Sequence, residues 1–272
     1  VRSRRDAGDV HRYRTRGPKG TQLLKLHRAE RSSTLADALA ELLATPLSDP
    51  FVGEIVAVPA KGVERWLTQR IATVLGAEKR DGIAANIAFP TPTRLVDDAV
   101  AAVSGTDARA DPWSSNRVVW TVLDVIDRSS DQPWYPVLEK HLEAHRKGRR
   151  YETAVHLAEL FRSYAAQRPS MLVEWAEGSD TDGAGGALAS DLLWQPELWR
   201  AVRQQIGTPS LAERLEDTCD RLRANPDLVP FPERLSLFGT TRLTTAQLEV
   251  VQALAAHRDV HLWLAHPSPV MW

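Results

Sequence analysis

Residues 54–76, EIVAVPAKGVERWLTQRIATVLG, decide the fold of this chain. The run from Glu54 to Val58 is short, apolar and β-branched, which predicts a strand, and Pro59 closes it because proline cannot donate to a ladder. Residues 60–62 are predicted to form a turn. Apolar residues then recur at helical spacing, and Gly76 is predicted to end that helix. A strand that feeds directly into a helix is half of a β-α-β unit, so this stretch predicts a parallel sheet.

The segments on either side extend this pattern. Residues 21–27 are predicted to form a first strand, followed by a polar turn and a helix that Thr34 caps. Residues 82–92 form a second extended segment that two prolines stop. Residues 234–239 and 260–265 are predicted strands that flank a helix capped by Thr244, and residues 93–230 between the two regions are mostly helical. The sequence therefore predicts an α/β protein whose parallel-sheet core carries a large inserted all-helical subdomain.

Composition places the chain among soluble globular proteins. It has 272 residues and 30.2 kDa, with 43% hydrophobic and 25% charged residues, which suits one or two domains. No apolar run is long enough to span a bilayer, so no membrane association is predicted. The single cysteine, Cys219, excludes an internal disulfide and a cysteine zinc site and favours a reducing cytoplasm.

Charge is concentrated at the start of the chain. Residues 1–20 hold seven Lys and Arg against two Asp, a net charge of +5 within a total of −1. A basic segment with so few apolar residues cannot repay its ordering entropy, so it is predicted to be disordered. A misplaced start, an upstream fragment and a DNA-binding arm all remain open for this leader.

Five blocks resemble a known family in their order along the chain. They are VPAKGVERWL (58–67), GIAANIAFPTP (82–92), LFRSYAAQRPSMLVEW (160–175), WQPELW (194–199) and LFGTTRLTTAQLEVVQAL (237–254). In this order they resemble the N-terminal region of the RecC family, the gamma subunits of exodeoxyribonuclease V, or RecBCD helicase–nuclease. Members of that family are several times longer, so the resemblance implies an N-terminal part only.

The resemblance implies a superfamily 1 helicase-like, P-loop-like core at 21–92 and 231–272 (domain 1A-like), with the insert at 93–230 (domain 1B-like). In working helicases the turn after the first strand is a glycine-rich loop with Gly-Lys-Ser/Thr, which cradles phosphates and magnesium. The turn here has no glycine or lysine and carries Glu30. Its positions Arg28, Ser32, Ser33 and Thr34 therefore form a degenerate nucleotide loop. The strand at 234–239 also lacks the Asp-Glu that would hold magnesium. The chain itself is predicted to be catalytically inactive and to bind no cofactor or metal.

The function implied by the resemblance is non-catalytic handling of DNA during double-strand break repair by homologous recombination. The subunit would guide the unwound 3′ single strand through a channel and scan it for the hotspot sequence Chi. Its implied partners are a DNA end, single- or double-stranded, a RecB-like beta subunit and a RecD-like alpha subunit, and these partner subunits would use ATP and Mg²⁺. The predicted DNA-binding residues are Lys61, Arg65, Thr91, Arg94, Asp97 and Arg149, with Pro59 at a further channel position.

Several readings stay open. Arg149 falls in a basic cluster at 145–150 that is either a solvated helix end or a phosphate contact. The chain could instead be an active nucleotide-driven enzyme with a misplaced phosphate loop, or a helical interaction module without a DNA role. Loop 178–190 is predicted to be a flexible linker despite Asp180 and Asp182. Aromatic residues at apolar helix positions are predicted to be core: Trp66, Trp120, Phe161, Tyr164, Trp175 and Trp199.

Overall fold

A computed structural model of the chain describes residues 11–14, 24–75, 82–105, 110–143 and 149–266. Six strands form one sheet in the order β1-β2-β6-β5-β3-β4. Their bounds are β1 His11–Arg14, β2 Leu24–Ala29, β3 Glu54–Ala57, β4 Ile87–Ala88, β5 Arg234–Phe238 and β6 Asp259–Ala265. The five strands β2 to β6 run parallel, and β1 pairs with β2 in the antiparallel direction. The prediction of an α/β protein with a parallel sheet is confirmed.

Ten α-helices are described. They are α1 Ser32–Leu43, α2 Lys61–Ala72, α3 Pro92–Ser104, α4 Ser115–Arg128, α5 Tyr135–Glu143, α6 Arg149–Gln167, α7 Pro169–Ala176, α8 Trp194–Ile206, α9 Leu211–Ala224 and α10 Thr245–Leu254. Among them, none combines the length and the apolarity needed to cross a bilayer.

The described residues divide into two compact units. The sheet unit draws on residues 1–99, 220–243 and 250–272, and the helical unit on residues 100–219 and 244–249. The assignment of these units to a helicase-like core and an inserted subdomain stays a prediction. Of the predicted disordered leader, residues 11–14 are described, and they form β1; the remainder lies outside the described residues.

The sheet unit has its core where α1 and α2 pack on the central strands. Buried apolar side chains from the strands meet those of the two helices, and the set includes Val56, Leu67, Ile71, Phe238 and Trp263. β5 is buried along its whole length, as expected for a parallel strand covered on both faces. This packing fixes the carboxyl ends of the strands and the starts of the helices that follow them.

The helical unit is built around tryptophan. Trp175 and Trp199 are fully buried, and their rings meet edge to face with centroids 6.3 Å apart. The Trp175 indole N–H donates to the carbonyl oxygen of Thr181 at 2.9 Å, which ties loop 178–190 to the core. A backbone bridge between Thr181 and Ala187 closes that loop, and Gly183, at φ +71°, packs against α7 where a side chain would collide with Met171. The prediction of a flexible linker was therefore wrong.

Several predicted helix starts are displaced. β2 extends through Arg28 to Ala29, and α1 begins at Ser32 with Arg31 at its N-cap, so Thr34 is not the cap. Lys61 and Gly62 lie in the first turn of α2 rather than in the preceding turn. Arg149 and Arg150 begin α6 instead of ending the helix before it, while residues 145–148 lie outside the described residues. Gly76 also lies outside them.

Two of the six aromatic predictions were wrong. Trp66 and Trp120 are 39% and 60% exposed, whereas Phe161, Trp175 and Trp199 are buried and Tyr164 is half-buried. Helical spacing gives the direction of a side chain, but it does not tell how far the neighbouring elements extend over it.

Candidate nucleic-acid interface

The candidate interface lies at the carboxyl ends of β3 and β4. These strands are parallel neighbours, with Glu54 opposite Ile87, and beyond them the Val58 N–H donates to the Pro90 carbonyl oxygen at 2.9 Å. The chain therefore leaves both strands side by side and enters α2 at Lys61 and α3 at Pro92. Open α/β sheets bind ligands at this edge, and the starts of helices attract anions there.

α2 presents two cations at this edge. Lys61 is the first residue of the helix, its side chain is 82% exposed, and its ammonium nitrogen lies 2.8 Å from the carboxylate of Glu64. Arg65 follows about one turn later and is exposed, and no ion pair to it is found among the described residues. An exposed pair such as Lys61–Glu64 contributes little stability, so Lys61 can exchange Glu64 for a phosphate at small cost.

α3 starts with a hydrogen-bonded cap. The Thr91 hydroxyl oxygen accepts a hydrogen bond from the backbone N–H of Arg94 at 3.1 Å, so this hydroxyl caps the start of α3. The Arg94 guanidinium lies 2.9 Å from the carboxylate of Asp98 and remains exposed. Asp97 is exposed in the second turn, where its charge opposes that of an approaching phosphate. The cation that α3 offers is Arg94.

The loop after β5 reaches the same edge. Gly239 has φ +68°, and a Cβ on it would lie 4.0 Å from a methyl carbon of Val63 in α2, so this turn packs beside the helix start. Exposed Arg242 follows in that loop. The half-exposed ring of Trp66 lies 6.1 Å from that of Phe238. From the sequence, Arg242 was given no DNA-binding role and Trp66 was predicted to be core. The signal for the exposure of Trp66 was its place beside Arg65 and Gln69, on the polar side of α2.

Arg149 lies elsewhere. It begins α6 in the helical unit and lines a cavity of about 550 Å³ between α5, α6 and α8, together with His141, Glu152, His156 and Trp194. Five of the six predicted DNA-binding residues thus share one edge of the sheet unit, and Arg149 belongs to the other unit. Arg149 thus lies within the segment 93–230 that was predicted to be helical.

The connection at the predicted degenerate nucleotide loop is two residues long. β2 ends at Ala29 and α1 begins at Ser32, so only Glu30 and Arg31 connect them. A phosphate-binding loop needs several residues between strand and helix, with glycines that let backbone N–H groups surround the phosphates. Arg28 lies in the strand, and Ser32, Ser33 and Thr34 form the first turn of the helix. This connection leaves no space in which a triphosphate could be enclosed.

The second prediction about nucleotide binding concerns the residues that follow β5. β5 ends at Phe238 and continues as Gly239, Thr240 and Thr241, without a carboxylate to hold magnesium. The Gly239 N–H donates to the carbonyl oxygen of Trp263 at 3.0 Å, and the buried Thr240 hydroxyl has no hydrogen-bond partner in the part of the chain that the structure describes. The fold and this edge define a class: an α/β protein with a parallel sheet whose carboxyl edge presents exposed cations at the starts of two helices.

Comparisons with known proteins narrow this class. The family model described as RecC, N-terminal domain, matches residues 24–272. The chain is 47% identical over 260 residues to RecBCD enzyme subunit RecC of Mycobacterium tuberculosis, and 46% identical over 257 residues to that of Mycolicibacterium smegmatis. It is 26% identical over 261 residues to that of Escherichia coli. Each match covers 92% of this chain but only 22–23% of the relative. The chain belongs to the RecC family and spans less than a quarter of the length of these relatives.

Proposed function

We propose that this chain is the N-terminal DNA-handling part of a RecC-type subunit, which guides and scans an unwound 3′ single strand without hydrolysing nucleotide itself. The observation that carries the proposal is a carboxyl edge that presents Lys61, Arg65 and Arg94, in a sheet whose β2 is joined to α1 by only two residues. An edge with exposed cations at the starts of two helices suits the phosphates of a DNA strand. The setting is repair of double-strand breaks by homologous recombination.

The partners follow from the family. The named relatives are subunits of a RecBCD enzyme. We therefore propose RecB-like and RecD-like partner subunits that bind ATP and Mg²⁺ and supply the helicase and nuclease activities. The DNA end, single- or double-stranded, would be the shared substrate, and this chain would receive one strand from the motor.

The chemistry of the edge favours binding that tolerates any sequence. Pro59 offers no side-chain hydrogen bond, Thr91 is used in capping, and Asp97 repels phosphate. Lys61 and Arg65 hold phosphate as readily as they bind guanine. We therefore propose that these residues position the strand, and that the complex does not respond to the Chi octamer of enterobacterial type. A nuclease switched by that octamer would contradict this.

Removing single cations from the edge is expected to lower the salt dependence of DNA binding. In the natural protein with its partner subunits, Lys61→Ala, Arg65→Ala or Arg94→Ala should each reduce the slope of log affinity against log salt by about 0.7, because one fewer counterion is released per lost phosphate contact. Affinity should fall similarly for all single-stranded sequences. Arg149→Ala is proposed to act in the same way and reports on the helical unit separately.

The matched control is Arg223→Ala. Arg223 is an exposed arginine with an ion pair to Asp220 at 2.7 Å, and it precedes the amino end of β5, away from the interface. Its removal changes the net charge equally and should leave the slope unchanged. If the edge variants and Arg223→Ala shifted the slope alike, the effect would come from overall charge and the proposed interface would be wrong.

The chain is expected neither to bind nor to turn over ATP. A two-residue connection between β2 and α1 cannot enclose phosphates, and β5 is followed by no carboxylate. Nucleotide-binding measurements on the chain should show no saturable signal with magnesium present. Magnesium-dependent hydrolysis that disappears in Ser33→Ala or Thr34→Ala would contradict this prediction and favour the active-enzyme alternative.

A further inference from the structure

Two exposed aromatic side chains lie in contact on the helical unit. Trp120 in α4 is 60% exposed and Tyr151 in α6 is 47% exposed, and their ring centroids are 5.4 Å apart with the planes at 42°. We call them the aromatic pair. Other large aromatic residues of this unit, such as Trp175 and Trp199, are fully buried. The aromatic pair therefore lies outside the core.

The pair is held on a rigid base. α4 and α6 pack against each other, and the side chains behind the pair are buried, among them Val119 and Ala154. The Trp and Tyr side chains each have only about two rotatable torsions, so a ligand that covers them would immobilise little further freedom. A large exposed aromatic surface on a rigid base indicates a binding site rather than incomplete packing.

Charged groups flank the aromatic pair. Arg117 is exposed one turn before Trp120 on α4. Arg150, next to Tyr151, pairs with Asp127, and Arg128 lies 3.0 Å from Asp124. These five groups carry three positive and two negative charges, and both ion pairs are exposed and therefore weak. The centre of a protein–protein interface is depleted in charge, whereas sites for single strands combine aromatic rings with cations. The charged groups around the aromatic pair therefore favour a single-stranded nucleic acid over a protein as its ligand.

We propose that Trp120 and Tyr151 form a stacking platform for two bases of single-stranded DNA. This inference rests on the proposed function and adds a second contact surface to it, on the other unit. Because the rings are tilted, each keeps a face open to one base, and their separation suits neighbouring nucleotides. Arg117 and Arg150 hold the adjacent phosphates, Arg150 after releasing Asp127. Every base has a flat face, so the platform tolerates any sequence.

The test uses the natural protein with its partner subunits and an oligo(dT) strand that carries 5-iodouracil. Irradiation should crosslink the strand to peptides that contain Trp120 or Tyr151. Trp120→Ala and Tyr151→Ala should each raise the Kd for oligo(dT) about tenfold, while Trp120→Phe and Tyr151→Phe should stay near wild type. The salt slope should not change in these variants, because stacking releases no counterions. Phe51→Ala, which removes a 91% exposed aromatic ring from the other unit, should have no effect.

The outcomes separate this inference from the proposed function. Failure of the edge variants to change the salt slope overturns the proposed function, whatever the aromatic variants do. Unchanged affinity in both alanine variants, with no crosslink to α4 or α6, overturns the platform alone. Loss of a partner subunit from the alanine variants, with DNA binding intact, would also overturn it and would assign the pair to a protein interface.

Discussion

Replacing Arg234 with methionine is expected to lower the free energy of unfolding by about 3–5 kcal/mol, because it leaves the largely buried carboxylate of Glu54 without its counter-charge. Arg234 begins β5 and is buried. Its guanidinium pairs with Glu54 of β3 and donates to the carbonyl oxygens of Leu42 at 3.2 Å and Thr45 at 2.8 Å. The side chain thus joins two strands to the end of α1. Thermal or urea unfolding of the variant measures the loss.

A double variant separates the destabilisation caused by the unpaired charge from that caused by lost packing and hydrogen bonds. In Arg234→Met with Glu54→Leu, no buried charge remains, so a large part of the lost stability should return, less the hydrogen bonds to the two carbonyl groups. Arg223→Met is the matched control, since its pair with Asp220 is exposed and should contribute less than about 1 kcal/mol. If Arg234→Met unfolds at the same urea concentration as wild type, the buried pair does not stabilise the sheet.

The Arg234–Glu54 pair shows what the sequence could not reveal. Both residues stand at the starts of predicted strands, where a charge normally indicates solvent, and 180 positions separate them. Local patterns contain no signal for a partner at that distance. The sheet order, which places β5 beside β3, is what brings the two side chains together in the interior.

Structures that depend on residues close together in the sequence, in contrast, could be predicted. The strand and helix within 54–72 follow from β-branched residues and helical spacing. Thr244 was predicted to cap α10, and its hydroxyl accepts the Gln247 N–H at 3.2 Å while the Gln247 side chain accepts the Thr244 N–H at 3.1 Å. Both partners of this cap lie within four residues, so the sequence contains the whole interaction.

The grouping of cations at the candidate interface could also be predicted from the sequence. Lys61, Arg65 and Arg94 share an edge because consecutive parallel strands end on one side, a rule that needs only the strand positions. Arg149 lies in the helical unit, within the segment predicted to be helical. It begins α6 and does not end the preceding helix as predicted, because helix ends are the least certain feature of a sequence. The exposure of Trp120 depends on the distance between α4 and α6, which no spacing rule supplies.

Acid is expected to destabilise the sheet unit through a buried histidine pair. His261 in β6 is 3% exposed, and its Nδ1 lies 2.9 Å from Nε2 of His27 in β2. His27 in turn stacks on Trp263 with ring centroids 3.9 Å apart. His261 Nε2 is buried, and among the described residues it has no hydrogen-bond partner. Burial, and then the neighbouring His27, lower the pKa of His261 to about 3.

The direction in which stability changes with pH follows from which state of the chain, folded or unfolded, binds the proton. Between pH about 3 and the ordinary histidine pKa of 6.5, the unfolded chain holds a proton on residue 261 that the folded chain does not. Stability is therefore complete above that range and falls as the pH drops, with a slope that approaches about 1.4 kcal/mol per pH unit. The other charged groups that act on His261 are Lys25, Asp259 and Arg234; among them Asp259, which raises this pKa, opposes the effect.

His261→Gln should remove this slope. Glutamine can still hydrogen-bond to His27 but does not titrate in this range. The free energies of unfolding of the variant and the wild type should therefore converge as the pH falls from about 7 to about 4. The matched control, His257→Gln, replaces an exposed histidine of the same unit whose Nε2 lies 2.7 Å from the carbonyl oxygen of Arg223. It should keep the wild-type slope. Equal slopes in wild type and His261→Gln would mean that His261 takes up its proton in the folded protein, and that burial between β2 and β5 does not keep it neutral.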